Sequence, residues 1–313
     1  MRFDENADLD TSQIDDLRGG GGGGNPLGGR VALGGGGLGV VGLILYFLLS
    51  QLGGGGGGGG FSLPDGLSGG IPAGETADTS QAASNCRTGA QANTELDCEV
   101  VAVVNSLDGF WSDAFARSGQ TYQPPRTNFF SSGVDTACGS ATSATGPFYC
   151  PADNEVYIDL TFFSELESRF GAQGGPFARA YVIAHEYGHH IQALLGTTDN
   201  VRPGETGPTS GSVRLELQAD CYAGVWANAA ESTPTSTGRP LIAEVNEADI
   251  AAALDTAARI GDDFIQTELG GGQVDESQFS HGSSEQRERW YTTGYQSGDP
   301  AQCDTFGRGV DLG

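Results

Sequence analysis

The chain has 313 residues, 40 acidic and 15 basic side chains and a net charge of −25, and every basic residue is Arg. So acidic a surface repels nucleic acid and anionic lipid, which excludes both as partners of the folded part. Glycine is abundant, at 52 residues, but it is concentrated in runs near the N-terminus, so its meaning is local.

Residues 1–30 are polar and glycine-rich, with no hydrophobic period, and read as a disordered tail. Residues 31–52, VALGGGGLGVVGLILYFLLSQL, carry no charge. As a helix this stretch would measure ~33 Å, enough to cross a bilayer core. Arg18 and Arg30 precede it and the next basic residue is Arg87. The positive-inside rule then predicts a single-pass signal anchor in the cell membrane, N-terminus cytoplasmic, the rest extracytoplasmic. Residues 53–85 begin with eight glycines and read as a flexible tether. Residues 86–313 are long enough for one sizeable core. All six cysteines fall there, with no C-x-x-C pair. They point to disulfides in an oxidising compartment rather than a zinc knuckle. Their order suggests Cys86–Cys98, Cys138–Cys150 and Cys221–Cys303.

Within this domain, residues 95–118 predict a helix with Val101, Val104, Leu107, Trp111 and Phe115 on one face. PFYC and EVYIDL predict short strands, the second alternating Val156, Ile158 and Leu160 with Glu155, Tyr157 and Asp159. TFFSELESRF predicts a short helix ended by Gly171, and Phe177 to Leu195 a long one stopped by Gly196. Val213 to Ala230 and Glu247 to Ile260 follow as helices. Ser283 and Gln286 form a capping box that opens a last helix reaching about Tyr295. Few strands and a helical second half define an α+β class.

The chain holds four histidines, three of them in AYVIAHEYGHHIQALLG. His185, Glu186 and His189 spell H-E-x-x-H. On a helix, residues four apart share a face, so both imidazoles can point at one Zn2+ ion. Glu186 is then placed to act as general base on a water held there. Gly188 leaves room for a close neighbour. His190 points ~100° away and reads as a packing residue. A hydrolytic zinc site needs a third ligand. Continuation as H-E-x-x-H-x-x-G-x-x-H fails, because Gln192 and Leu195 stand where Gly and His would be required. Glu216 and Asp220, four apart in the otherwise apolar VRLELQADCYAGVWA, supply the alternative. Glu216 is the expected third ligand, with Asp220 either an acceptor for a ligand imidazole or itself the ligand. Ala223 and Gly224 are small and permit close helix packing. His281 stands just before the capped helix, where it could serve as a catalytic oxyanion donor. Arg287 could do the same or pair with a carboxylate.

Four blocks in order, GPFYCPADNEVYIDLTFF, FARAYVIAHEYGHHIQALLG, RLELQADCYAGVWA and SHGSSEQRERWYTTGY, together resemble the bacterial family of putative neutral zinc metallopeptidases. The resemblance covers most of Cys86 to Tyr295. It implies a mainly helical zincin-like metallopeptidase domain behind a membrane anchor, with a gluzincin-like helix carried by Glu216 and Asp220. It also assigns His281 to the family's histidine block. The expected activity is zinc-dependent hydrolysis of a peptide or protein substrate, with EVYIDL as the edge strand that aligns it. Two alternatives stand beside it: a membrane-anchored zinc-binding scaffold without proteolysis, and a zinc hydrolase of a non-peptide envelope substrate. An intact Glu186 favours an enzyme, since a structural site needs no base.

Overall fold

A computed structural model describes residues 1–18, 85–202, 204–235 and 238–313. The span expected at 31–52 and nearly all of the tether expected at 53–85 lie outside these residues. Among the described residues no helix is long and apolar enough to cross a membrane.

The expectation of a disordered N-terminus is corrected over residues 1–18. Strand β1, Arg2–Phe3, pairs antiparallel with β8, Ile242–Glu244. Strand β2, Ile14–Asp16, runs parallel to β3, Arg126–Phe130, with Ile14 opposite Thr127. Phe3 and Ile14 are buried in the main core. Asn105 clamps Asp10, accepting its backbone N–H and donating to its carbonyl, both at 2.8 Å. The segment escapes a hydrophobic-period reading because only a few of its residues carry burial, each separated by polar ones. Since β2 and β3 share one sheet, they lie on the same side of any membrane. Ile14→Ala is expected to cost ~2–5 kcal/mol, the usual loss for truncating a buried side chain of this size. Denaturant unfolding of the full chain measures it, and an unchanged midpoint would return the segment to the status of a tail.

The main sheet has the order β2-β3-β7-β6, where β6 is Phe148–Cys150 and β7 is Glu155–Asp159. Strands β2, β3 and β7 are parallel and β6 is antiparallel to β7. Thus β7, expected at an edge, is interior, and among the described residues the end strands of the sheet are β2 and β6. The alternation read in EVYIDL is present, but both faces are covered. Val156 and Ile158 enter the helical core. Tyr157 belongs to a second cluster with Phe130 and Phe148, stacking on Phe148 at 5.0 Å between ring centroids. That cluster is closed by the hairpin of β4, Gly133–Thr136, and β5, Gly139–Thr142.

The helices after the first, which had no counterpart in the sequence reading, fall close to their expected places. They are α1 (Gly89–Ala92), α2 (Leu96–Arg117), α3 (Phe162–Ser168), α4 (Pro176–Leu194), α5 (Gly211–Ala229), α6 (Glu247–Arg259) and α7 (Ser284–Ser297). A short helical turn over 262–269 joins α6 to the loop before α7. The capping box at α7 forms: Ser283 accepts the Gln286 N–H, and Gln286 Oε1 accepts that of Ser283. Two glycines let helix backbones touch. A Cβ on Gly188 would lie 2.8 Å from Ala219 Cα, which brings α4 against α5. A Cβ on Gly294 would lie 1.9 Å from the Cys221 carbonyl oxygen, which brings α7 against the other side of α5. Gly224 also serves that second contact rather than the first, since its Cβ would meet the Tyr291 carbonyl oxygen at 2.1 Å. All three expected disulfides are present. Cys221–Cys303 ties the C-terminal segment to α5, and Cys138–Cys150 ties the β4–β5 turn to β6.

Candidate active site and metal centre

Helix α4 is buried along most of its length, with His185, Glu186, His189 and His190 all in the interior. Its contact with α5 at Gly188 sets the two helices close enough for α5 to present Glu216 to both imidazoles. His185 Nε2 stands 3.2 Å from Glu216 Oε2, and His189 Nε2 stands 3.5 Å from Glu216 Oε1. One ligand atom from each of the three residues lies within 4.8 Å of the others. Asp220, the other residue weighed as third ligand, is outside that cluster.

The cluster fits a metal ion on its own chemistry. His189 Nε2 is buried with no hydrogen-bond partner among the described residues, an arrangement that is costly without a ligand to satisfy it. The far nitrogen of each ring is already held. His185 Nδ1 donates to Asp220 Oδ1 at 2.8 Å, and His189 Nδ1 donates to Gln192 Oε1 at 2.8 Å. Each bond fixes the tautomer that leaves Nε2 as a donor towards an ion. Two imidazoles and one carboxylate, with a position to spare, suit zinc in an open hydrolytic geometry. For the Glu216 carboxyl, burial favours the neutral form, but its contacts with His189 and His185 outweigh it and hold the group well below the usual range. It therefore remains an anionic donor.

Asp220 is the hub behind the cluster. It is fully buried and accepts from Tyr181 at 2.6 Å, from His185, and from two nitrogens of Arg287 at 2.8 and 3.0 Å. Arg287 thus pairs with a carboxylate, one of the two roles read from its position. It also donates to the Ile260 carbonyl at 3.1 Å. Burial pushes the Asp220 carboxyl up, yet Arg287 and His185 outweigh it and hold it at about 2.

Glu186 is 2% exposed, and its Oε2 has no partner among the described residues. Burial pushes its carboxyl above the usual range, opposed by the neighbouring histidines and a hydrogen bond from the Tyr149 backbone on β6. A cavity of about 20 Å3 lies beside it, bounded on the polar side by His185, Glu186, Glu216 and His281. Phe162, Phe170, Val182 and Ile260 close the apolar side.

His281 reaches this cavity from the loop before α7. Its Nδ1 donates to Asp262 Oδ1 at 3.0 Å, while Asp262 Oδ2 accepts the backbone N–H groups of Ser280, His281 and Gly282. Burial lowers the His281 pKa, but the Asp262 carboxylate outweighs it and the group is raised. The imidazolium is therefore held to higher pH. His190 packs as read: its Nε2 donates to the Gln123 carbonyl at 2.7 Å, and its ring lies edge-on to Tyr122 and Tyr149.

Three residues at the site have no counterpart in the sequence reading. Asp262 is 19 positions from His281, and nothing local links the two. Tyr181 belongs to α4 and looked like one more apolar helix residue. Gln192 was legible in principle, three positions after His189 on the same face. It also crosses to α5, donating to the Leu215 carbonyl at 2.6 Å.

Fold and cluster together define an α+β protein with a buried His-His-carboxylate metal centre between two touching helices. The chain belongs to the family described as "Putative neutral zinc metallopeptidase", which matches residues 1–306. An uncharacterized protein of Mycobacterium tuberculosis is 48% identical over 231 residues, covering 74% of this chain and 77% of its own. The uncharacterized protein YpfJ of Escherichia coli K12 is 42% identical over 213 residues, covering 66% of this chain and 70% of its own. No solved structure matches. The cofactor expected from H-E-x-x-H is that of the family, zinc, and His185, His189 and Glu216 form the cluster that can hold it. Glu216→Ala is expected to lose zinc during dialysis against a weak chelator while wild type keeps one ion per chain. Metal analysis of the dialysed proteins checks this, and equal retention would move the third ligand elsewhere, with Asp220 next in line.

Proposed function

We propose that this chain is a zinc-dependent peptidase, with His185, His189 and Glu216 as ligands, Glu186 as general base and His281 as oxyanion donor. The observation that carries the reading is the Glu186 carboxylate, which is buried, has one unpartnered oxygen and borders a chamber that holds about one water. A purely structural metal site has no use for such a group. Bound zinc would supply a Lewis acid for the scissile carbonyl and would lower the pKa of water. Glu186 takes the proton of the attacking water and passes it to the leaving amine. His281, oriented by Asp262, donates a hydrogen bond to the carbonyl oxygen as negative charge develops there. Asp220 and Gln192 keep the two ligand rings in place.

The strand that aligns the substrate is β6 rather than β7. It is an end strand of the sheet among the described residues, and its Tyr149 backbone already touches Glu186. An extended peptide added there would run past the base. The three disulfides support action in an oxidising compartment.

The size of the chamber favours a second reading, a metal-holding protein without proteolysis. At about 20 Å3 it is a water-sized rather than a peptide-sized space. Incubating the zinc-loaded full chain and its metal-free form with a diverse peptide library, with products identified by mass spectrometry, separates the readings. Cleavage by the zinc form alone supports the peptidase. Absence of cleavage by a fully zinc-loaded chain supports the second.

A further inference from the structure

A second cavity, of about 400 Å3, lies between the N-terminal segment and α2. Asp8 and Asp10 line it from the segment, and Asp108 and Asp113 from the helix. No Arg or His is among the described residues that line it. Asp108 is 9% exposed. Its Oδ1 accepts the Tyr122 hydroxyl at 2.9 Å, while its buried Oδ2 has no partner among the described residues. Gln13, on the same wall, also has a buried and unpartnered carbonyl oxygen, Oε1.

This concentration of acceptors stands apart from the rest of the molecule. Three other buried acids are matched by a guanidinium, Asp220 by Arg287, Glu99 by Arg179 and Asp16 by Arg18, while Asp262 faces His281 and Asp159 accepts from the Ser143 and Thr161 hydroxyls. Among the described residues Asp108 has no such neighbour, and burial raises its carboxyl to about 8. A buried acid without a counter-charge destabilises the fold when ionised, and a bound cation relieves that cost.

The geometry limits what the cation can be. A bare metal ion needs several donors converging on one point. Among the described residues, the grouping of three or more metal-ligating side chains is the His185–His189–Glu216 cluster, not this wall. The cavity instead has the volume of a small-molecule site, with acceptors spread over its surface. A planar guanidinium or an ammonium with several donors matches spread carboxylate and carbonyl oxygens. We propose that this cavity binds an organic cation bearing a guanidinium or primary ammonium group, with Asp108 at its base and Asp8 and Asp10 at its rim. The cation is either a basic side chain of another polypeptide or a free polyamine. The site is independent of the peptidase reading.

The test is calorimetric titration of the zinc-loaded full chain at fixed ionic strength. Probes are N-acetyl-arginine amide, spermidine, the neutral N-acetyl-glutamine amide and Ca2+. The expected result is saturable one-to-one binding of an organic cation, none of the neutral amide, and at least tenfold weaker binding in both Asp108→Asn and Asp8→Asn. Asp8 is exposed, so its variant tests the site without disturbing a buried group. Preference for arginine amide assigns the site to a basic side chain, and preference for spermidine assigns it to a polyamine. Three results would overturn the proposal: no saturable binding of either organic cation, equal binding by wild type and both variants, or one-to-one binding of Ca2+ alone. The second would mark general attraction to a surface of charge −25.

Discussion

Glu186→Gln is expected to keep one zinc ion per chain and to lose ~10²–10⁴-fold in peptide turnover, the range that a positioned acid–base group supplies. The substitution changes charge and proton affinity but hardly shape. Glutamine keeps a carbonyl oxygen to accept the Tyr149 backbone N–H that Glu186 uses, so β6 stays in place. Its amide cannot take a proton from water. Zinc retention follows because the ligand cluster is His185, His189 and Glu216, and Glu186 is not part of it. The pH profile adds a second readout. Burial raises the Glu186 carboxyl, so the acid limb of wild-type kcat/KM should lie above the ~4.3 of an ordinary glutamate. Residual activity of the variant should lack that limb. Metal analysis and timed cleavage of the peptide that wild type cuts best give both answers, and undiminished turnover would remove Glu186 from the chemistry.

How much of this was legible follows from where each signal resides. The ligand pair, the base and the Glu216–Asp220 pair lie on single helices, where spacing fixes which side chains share a face. Sequence periodicity therefore reached them. The helix ends were legible for the same reason, since Ser283 and Gln286 cap through contacts three residues apart. What stayed hidden is assembled across the chain. Strand β2 is three residues long and its partner β3 is more than a hundred positions away. Five residues of β7 reveal alternation but not neighbours, so EVYIDL could not announce that it would be flanked on both sides. Asp262 is an ordinary helix-start aspartate until the fold brings His281 to it. Likewise, α7 contributes Arg287 only because Gly294 and Gly224 let it lie directly on α5. Glycines in those helices were visible, but which helix each would meet was not.

Arg287→Met is expected to destabilise the chain by ~3–5 kcal/mol, the cost of leaving a buried charge without its partner. Arg287 is 2% exposed and Asp220 is fully buried, so no solvent can replace the lost guanidinium. The sign of the pH effect follows from Asp220. Despite burial, Arg287 and His185 hold its carboxyl at about 2, below the ~3.9 of an unfolded aspartate. A depressed carboxyl contributes stability above its unfolded pKa and loses it as pH falls through the folded one. With Arg287 gone the depression shrinks, so the variant should unfold at a higher pH on acidification than wild type. A second substitution separates charge balance from site geometry. Adding Asp220→Leu to Arg287→Met removes the stranded carboxylate, and denaturant unfolding should recover much of the lost stability. Zinc affinity should not recover, because His185 Nδ1 then has no acceptor, a loss that typically costs 10–100-fold. If the single variant matched wild type in stability, the buried pair would not be a support of the fold. If the double variant bound zinc as wild type does, Asp220 would be the partner of Arg287 alone and not the residue that aims His185.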